Sequence, residues 1–163
     1  MPVCSNCGED AVVTRYGDYQ YVESGLDNIT LSGIELLKCK KCGNVDPVIP
    51  RIDKLHQSIA AAIVSKDHRL NGKEIRFLRK YLDLTAEKFA EIIGTDKTRI
   101  SKWENEADRP SDQMDRLIRS VSMHLGKGLS KNSENVVRKF PRIANDVGDG
   151  KYQGDPDEIT YAA

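Results

Sequence analysis

The chain has 163 residues, of which 39% are hydrophobic and 31% charged, the balance of a globular protein with one ordinary domain or two small ones. No run approaches the roughly 20 apolar residues of a membrane span, and Met1-Pro2-Val3-Cys4 opens without the basic patch and apolar run of a secretory signal, so the expected location is the cytoplasm, away from any membrane. The formal net charge is zero but unevenly spread: residues 1–50 hold 4 Lys/Arg against 7 Asp/Glu, 66–127 hold 14 against 11, 128–144 hold 4 against 1, and 145–163 hold 1 against 5. A basic middle between acidic ends points to a charged partner for one part of the chain, although ordinary scatter of surface charge accounts for it equally well.

Residues 1–50 lack a helical pattern. Short β-branched and aromatic runs at Ala11–Tyr16, Tyr19–Glu23 and Ile29–Leu37, punctuated by Gly17, Gly25 and Gly33, read as strands and turns, and Pro47 and Pro50 close the segment. From Ile52 to about Ser65 the apolar residues Ile52, Leu55, Ile59, Ala62 and Ile63 recur at three- and four-residue spacing, which predicts a connecting helix. Its stripe calls for a partner, either the next domain or a second copy of the chain. Asn71 can cap a helix containing Ile75, Leu78 and Leu82, and Thr85 can cap the next, which Gly94 ends. Asp96 can cap a third helix from Lys97 to about Asn105; Pro110 breaks the chain, and Ser111 or Asp112 starts a fourth. Beyond Gly126, residues 132–144 suit one short helix, and the Gly- and Asp-rich remainder suits a mobile tail with a small strand at Ile159–Ala162.

The four cysteines form two Cys-x-x-Cys pairs, Cys4 with Cys7 and Cys39 with Cys42, each followed by glycine. Such a turn presents two thiolates to one side of an ion, and two of them complete the tetrahedral shell of zinc, with Zn–S distances of roughly 2.3 Å. Fifty residues with few large apolar side chains bury little core, so a metal cross-link has a stabilising role. Four thiolates leave no open position for water, which makes one structural Zn2+ the expectation and catalytic zinc not. Disulfides are disfavoured in a cytoplasmic chain, and a redox pair remains the alternative.

Thr85 to Asn105 carries the spacing of a helix-turn-helix. Ala90 is small enough for close helix approach, Gly94 follows four residues later at the turn, and Phe89, Ile93, Ile100 and Trp103 supply the inner faces. The helix from Lys97 then enters the major groove of double-stranded DNA with Lys97, Thr98, Arg99, Ser101 and Lys102 facing outward, Thr98 and Lys102 as the expected base readers. Arg76, Arg79, Lys80, Arg109 and Arg116 are weaker candidates for phosphate contacts. A helical bundle with solvated basic residues would show similar spacing. His56, His68 and His124 are isolated and expected to be packed or solvated, and Asp108 and Asp112 are expected to serve helix ends. No nucleophile–base pair, phosphate loop or open metal site is visible, so no enzyme is expected.

Cys4-Ser5-Asn6-Cys7-Gly8, Gly25-Leu26-Asp27-Asn28-Ile29, Leu37-Lys38-Cys39-Lys40-Lys41-Cys42-Gly43, Glu74-Ile75-Arg76-Phe77-Leu78-Arg79-Lys80 and Ile100-Ser101-Lys102-Trp103-Glu104-Asn105 together resemble the MqsA family of antitoxins over about residues 1–125. That family joins a YgiT-type zinc finger to a Cro/repressor-like helix-turn-helix. The resemblance implies a structural zinc module that binds an mRNA-cleaving toxin in toxin-paired members. It further implies a homodimer that binds a palindrome in its own promoter, as a repressor. Family members read bases with an Asn and an Arg at the positions of Thr98 and Lys102, so the operator here should differ.

The expected architecture is α+β and multidomain. A small β-rich, zinc-ribbon-like module spans 1–50, a connecting helix 51–69, an all-α helix-turn-helix bundle 70–127, and a C-terminal extension 128–163. The expected function is DNA-binding transcriptional regulation by a type II toxin-antitoxin antitoxin, with the toxin encoded by an adjacent gene. A stand-alone zinc-containing repressor and a zinc-ribbon adaptor for protein are the competing readings.

Overall fold

The computed structural model describes residues 2–10 and 12–143; the strand expected at Ile159–Ala162 lies outside them. A three-stranded antiparallel sheet, in order β1-β2-β3, comes first: β1 is Val12–Gln20, β2 Thr30–Cys39 and β3 Val45–Pro47. Among the described residues six α-helices follow: α1 Ile52–Ser65, α2 Gly72–Tyr81, α3 Ala86–Ile93, α4 Lys97–Glu104, α5 Asp112–Leu125 and α6 Ser133–Lys139. A small cysteine-bearing β module followed by an all-α bundle is thus the α+β architecture of a zinc ribbon joined to a helical domain.

The first two strands run through the glycines expected to interrupt them. β1 continues past Gly17, and its ladder with β2 absorbs the irregularity as a register shift between Gly17 and Tyr19. Residues 21–23 leave the strand, because Val22–Ser24 form a single 3-10 turn. The loop closes with the Tyr21 N–H donating to the Ile29 carbonyl at 2.8 Å. β3 has no counterpart in the sequence pattern: three residues ending at Pro47, which has no N–H to give, pair with Leu36–Lys38 at the sheet edge.

Helix starts follow their capping chemistry. Asn71 makes a full capping box with Glu74, and Thr85, Asp96 and Ser111 each accept the backbone N–H three residues on. Gly94 ends α3 at φ 75°, a left-handed conformation that a side chain would strain. α6 is shorter than the helix expected over 132–144, since Pro141 cannot donate and the chain tightens into a 3-10 turn at Phe140–Arg142.

α1 finds its partner within the same chain. Leu55, Ile59, Ile63 and Val64 are buried and join a core that includes Ile75, Leu78, Phe89 and Ile118 of the helices. Tyr21, Leu26, Ile29, Leu31 and Ile34 of the β module belong to that same core. The Tyr21 hydroxyl hydrogen-bonds His56 Nε2 at 2.9 Å, and the His56 ring also meets Phe77 edge-on, so this histidine is packed. Burial there lowers its pKa below the usual value. Lys73 of α2 reaches Asp27 of the β module at 2.6 Å, although both ends are largely solvated.

A second tie sits deeper. Arg119 of α5 is fully buried; its Nε bonds Asp115 at 2.8 Å, and its other nitrogens donate to the carbonyls of Val64, Lys66 and His68. Asp115 in turn accepts the Leu70 N–H at 2.8 Å. The carbonyls at the end of α1, orphaned by the helix's termination, thereby gain donors, and the turn into α2 is held against α5.

Candidate functional site

The first site is built by strand register. Residues 4–8 lie three residues before β1, and Cys39 ends β2. Pairing Val12 with Cys39 therefore sets both Cys-x-x-Cys turns at one end of the sheet. The turns are alike in detail. Gly8 N–H donates to the Cys4 carbonyl and Gly43 N–H to the Cys39 carbonyl, both at 3.0 Å, while the Cys4 and Cys39 N–H groups donate to the carbonyls of Glu9 and Asn44. Gly8 and Gly43 have φ of 73° and 77°, so each turn reverses where a side chain would resist.

The four sulfurs lie within 4.8 Å of one another, with Cys4 Sγ 3.6 Å from Cys42 Sγ and Cys7 Sγ 3.7 Å from Cys39 Sγ. A tetrahedron with metal–sulfur bonds of roughly 2.3 Å has sulfur–sulfur edges of about 3.8 Å, so the spacing fits one metal ion. Cys4 and Cys39 face inward, and Cys7 and Cys42 face solvent. The N–H of Asn44 holds the Cys42 thiol down at about 6, helped by the Asn6 amide. The Glu9 N–H pulls the Cys7 thiol the same way, yet desolvation and the three neighbouring sulfurs hold it at about 12. Four thiolates this close would need a cation between them, which is the chemistry of a thiolate metal site. Ser5 bonds both oxygens of Asp46 at 2.8 Å, linking the first turn to β3.

The second site is α4. Ile100 and Trp103 turn inward and are buried, as are Phe89, Ala90 and Ile93 of α3. Lys97, Thr98, Arg99, Ser101 and Lys102 are all exposed on the opposite side. Arg99 stands 3.9 Å from Asp96, a solvated pair of little energy, and Asn105 reaches Ser101 at 3.4 Å. Among the described residues the side chains of Lys97, Thr98 and Lys102 carry no ion pair or hydrogen bond.

The end of α4 is fastened to α2. Glu104, 8% exposed, receives Arg79 Nε at 2.6 Å, Arg79 Nη2 at 3.1 Å and Arg76 Nε at 3.2 Å. Arg79 also donates to the Leu84 carbonyl. Arg79 is therefore a clamp inside the bundle, which corrects its assignment as a phosphate-contact candidate: Nε, Nη1 and Nη2 all donate to protein acceptors. Arg76 is half engaged and half exposed, and Lys80, Arg109 and Arg116 remain exposed. Asp108 accepts the Arg109 N–H, and Asp112 pairs with Arg69. The buried Glu104–Arg79 and Asp115–Arg119 pairs have no signal in the sequence, since charged residues on amphipathic helices read as solvated. Among the described residues no helix is long and apolar enough to cross a membrane.

No curated protein matches the chain. Residues 2–127 match the family model described as the antitoxin component of a bacterial toxin-antitoxin system, MqsA.

Proposed function

We propose, because the chain belongs to the MqsA antitoxin family, that it is a DNA-binding antitoxin: α4 reads an operator in its own promoter, and the β module binds a toxin from an adjacent gene. The observation that carries the DNA reading is the division of α4 into two faces. Ile100 and Trp103 anchor one side in the bundle, and five exposed polar or basic residues in six positions line the other. A helix so held offers its N-terminal turns to a groove without unfolding anything. Lys102 and Thr98 are the base readers, with Lys97, Arg99 and Ser101 beside them on bases or phosphates.

The ion at Cys4, Cys7, Cys39 and Cys42 is zinc on this reading, because it is the ordinary occupant of a tetrahedral four-thiolate site. When bound, it supplies a cross-link between the two cysteine turns. An antitoxin of this kind needs no catalysis, and a cytoplasmic location follows from the thiolate chemistry and the DNA target. The working division assigns 1–50 to metal and toxin, 51–69 to the connection and 70–127 to DNA. A homodimer serves a palindrome, because one recognition helix spans only a few base pairs.

A mobility shift on the gene's own upstream DNA tests this. Lys102→Ala should weaken specific binding by about 1–3 kcal/mol and relax discrimination at its base pair. Binding unchanged by that substitution refutes the assignment. For the toxin, arrest of growth by the neighbouring gene product alone, with rescue and co-purification on co-expression, is the expected result; absence of both leaves a repressor without a toxin.

A further inference from the structure

The family match ends at residue 127, and residues 128–143 form a docked continuation beyond it. They hold Lys131, Arg138, Lys139 and Arg142 against a single acid, Glu134. The apolar side chains of Leu129, Val136 and Phe140 are buried, and the basic ones are left outside. Arg116 of α5 donates to the Phe140 carbonyl at 3.4 Å, and Phe140, Pro141 and Ile143 line a cleft with Arg69, Asp112 and Arg116. Arg69 also donates to the Pro110 carbonyl. The end of the extension thus rests beside the start of α5, next to the loop that leaves α4.

Charge accumulates at that corner. Arg109, Arg116 and Arg142 are exposed, and among the described residues none of them has an acidic partner. The acids nearby are already engaged: Asp112 with Arg69, Asp67 with Lys139 at 3.7 Å, Glu134 with Arg138, and Asp108 with a backbone N–H. The first turn of α5, capped by Ser111, carries Asp112 and Asp115, and these pair with Arg69 and Arg119 rather than with Arg109, Arg116 or Arg142. Seven peptide units separate Arg109 from Lys102, so their Cα atoms stand less than about 27 Å apart. That is within one turn of duplex, roughly 34 Å.

We propose that the extension gives the DNA-binding unit a second phosphate-contacting surface, in which Arg142 joins Arg109 and Arg116 to grip duplex flanking the base pairs that α4 reads. The proposal rests on the reading of α4 as the DNA-facing helix. The grip is sequence-independent. It raises affinity for any duplex and steepens the salt dependence, while discrimination between sequences stays with α4.

The test uses the full chain, a duplex of the gene's own upstream DNA and a scrambled duplex of equal length, titrated over a range of salt. In Arg109→Gln/Arg116→Gln/Arg142→Gln the slope of log K against log salt should fall by about 0.9 for each phosphate that is no longer neutralised, equally on both duplexes. Arg142→Glu alone changes an exposed side chain with no described bond, so it should fold as the parent does and lower both affinities. Unchanged slopes in both variants, with the parent binding DNA, overturn this proposal and leave the α4 reading standing. A parent chain that binds neither duplex overturns both. Loss of affinity for a co-purifying protein at unchanged DNA slopes also overturns it, and marks the corner as a protein-binding surface.

Discussion

Replacing Arg119 by Met tests the tie between the end of α1 and α5. Methionine keeps much of the aliphatic bulk but removes the guanidinium that bonds Asp115 and the carbonyls of Val64, Lys66 and His68. Asp115, 2% exposed, would keep only the Leu70 N–H and become a buried charge without a counter-ion. Breaking a buried pair by removing one partner costs about 3–5 kcal/mol, and the orphaned carbonyls push toward the upper end. A chain of this size loses roughly 2–4 °C of melting temperature per kcal/mol, so the midpoint should drop by about 6–20 °C. Urea and thermal unfolding followed by circular dichroism measure this. The double variant Arg119→Met/Asp115→Leu no longer strands a carboxylate, and its loss should fall short of the sum of the two single losses. A single Arg119→Met variant within about 1 kcal/mol of the parent would refute the reasoning, because the guanidinium would then be replaceable by water.

Gly72→Ala should destabilise by about 1–3 kcal/mol, because a Cβ there would sit 2.7 Å from the Glu104 carbonyl oxygen and closer still to that of Trp103, both backbone atoms at the end of α4. Thermal melts check the loss, and DNA titration should show weakened binding as α4 is displaced; a neutral substitution would mean that α2 and α4 separate freely. Chelation should remove one metal ion per chain, expose four reactive thiols and loosen residues 4–9 and 39–44. The helical circular dichroism signal should persist, since α2 to α5 bury their own apolar residues; metal analysis, thiol titration and far-ultraviolet spectra decide, and collapse of the helical signal on chelation would refute the separation.

What the linear sequence determines here is whatever depends on near neighbours. Each Cys-x-x-Cys-Gly turn closes through hydrogen bonds within six residues, and the starts of α2, α3, α4 and α5 each rest on a side chain that accepts the N–H three residues ahead. The inward pattern of Phe89, Ala90, Ile93, Ile100 and Trp103 is likewise a matter of helical spacing. Sequence pattern fails where a distant partner decides. Gly17 does not end β1 because the ladder with β2 carries the strand past it, and β3 exists because Leu36–Lys38 offer an edge. Glu104 and Arg79 are 25 residues apart, and Arg119 finds the Val64 carbonyl 55 residues away. No local pattern marks such groups as buried, since an isolated charge on an amphipathic helix favours water unless the fold brings it a partner. The sulfur cluster stands between the two cases: its turns are local, but only the register of Val12 with Cys39 carries four thiols to within bonding distance of one ion.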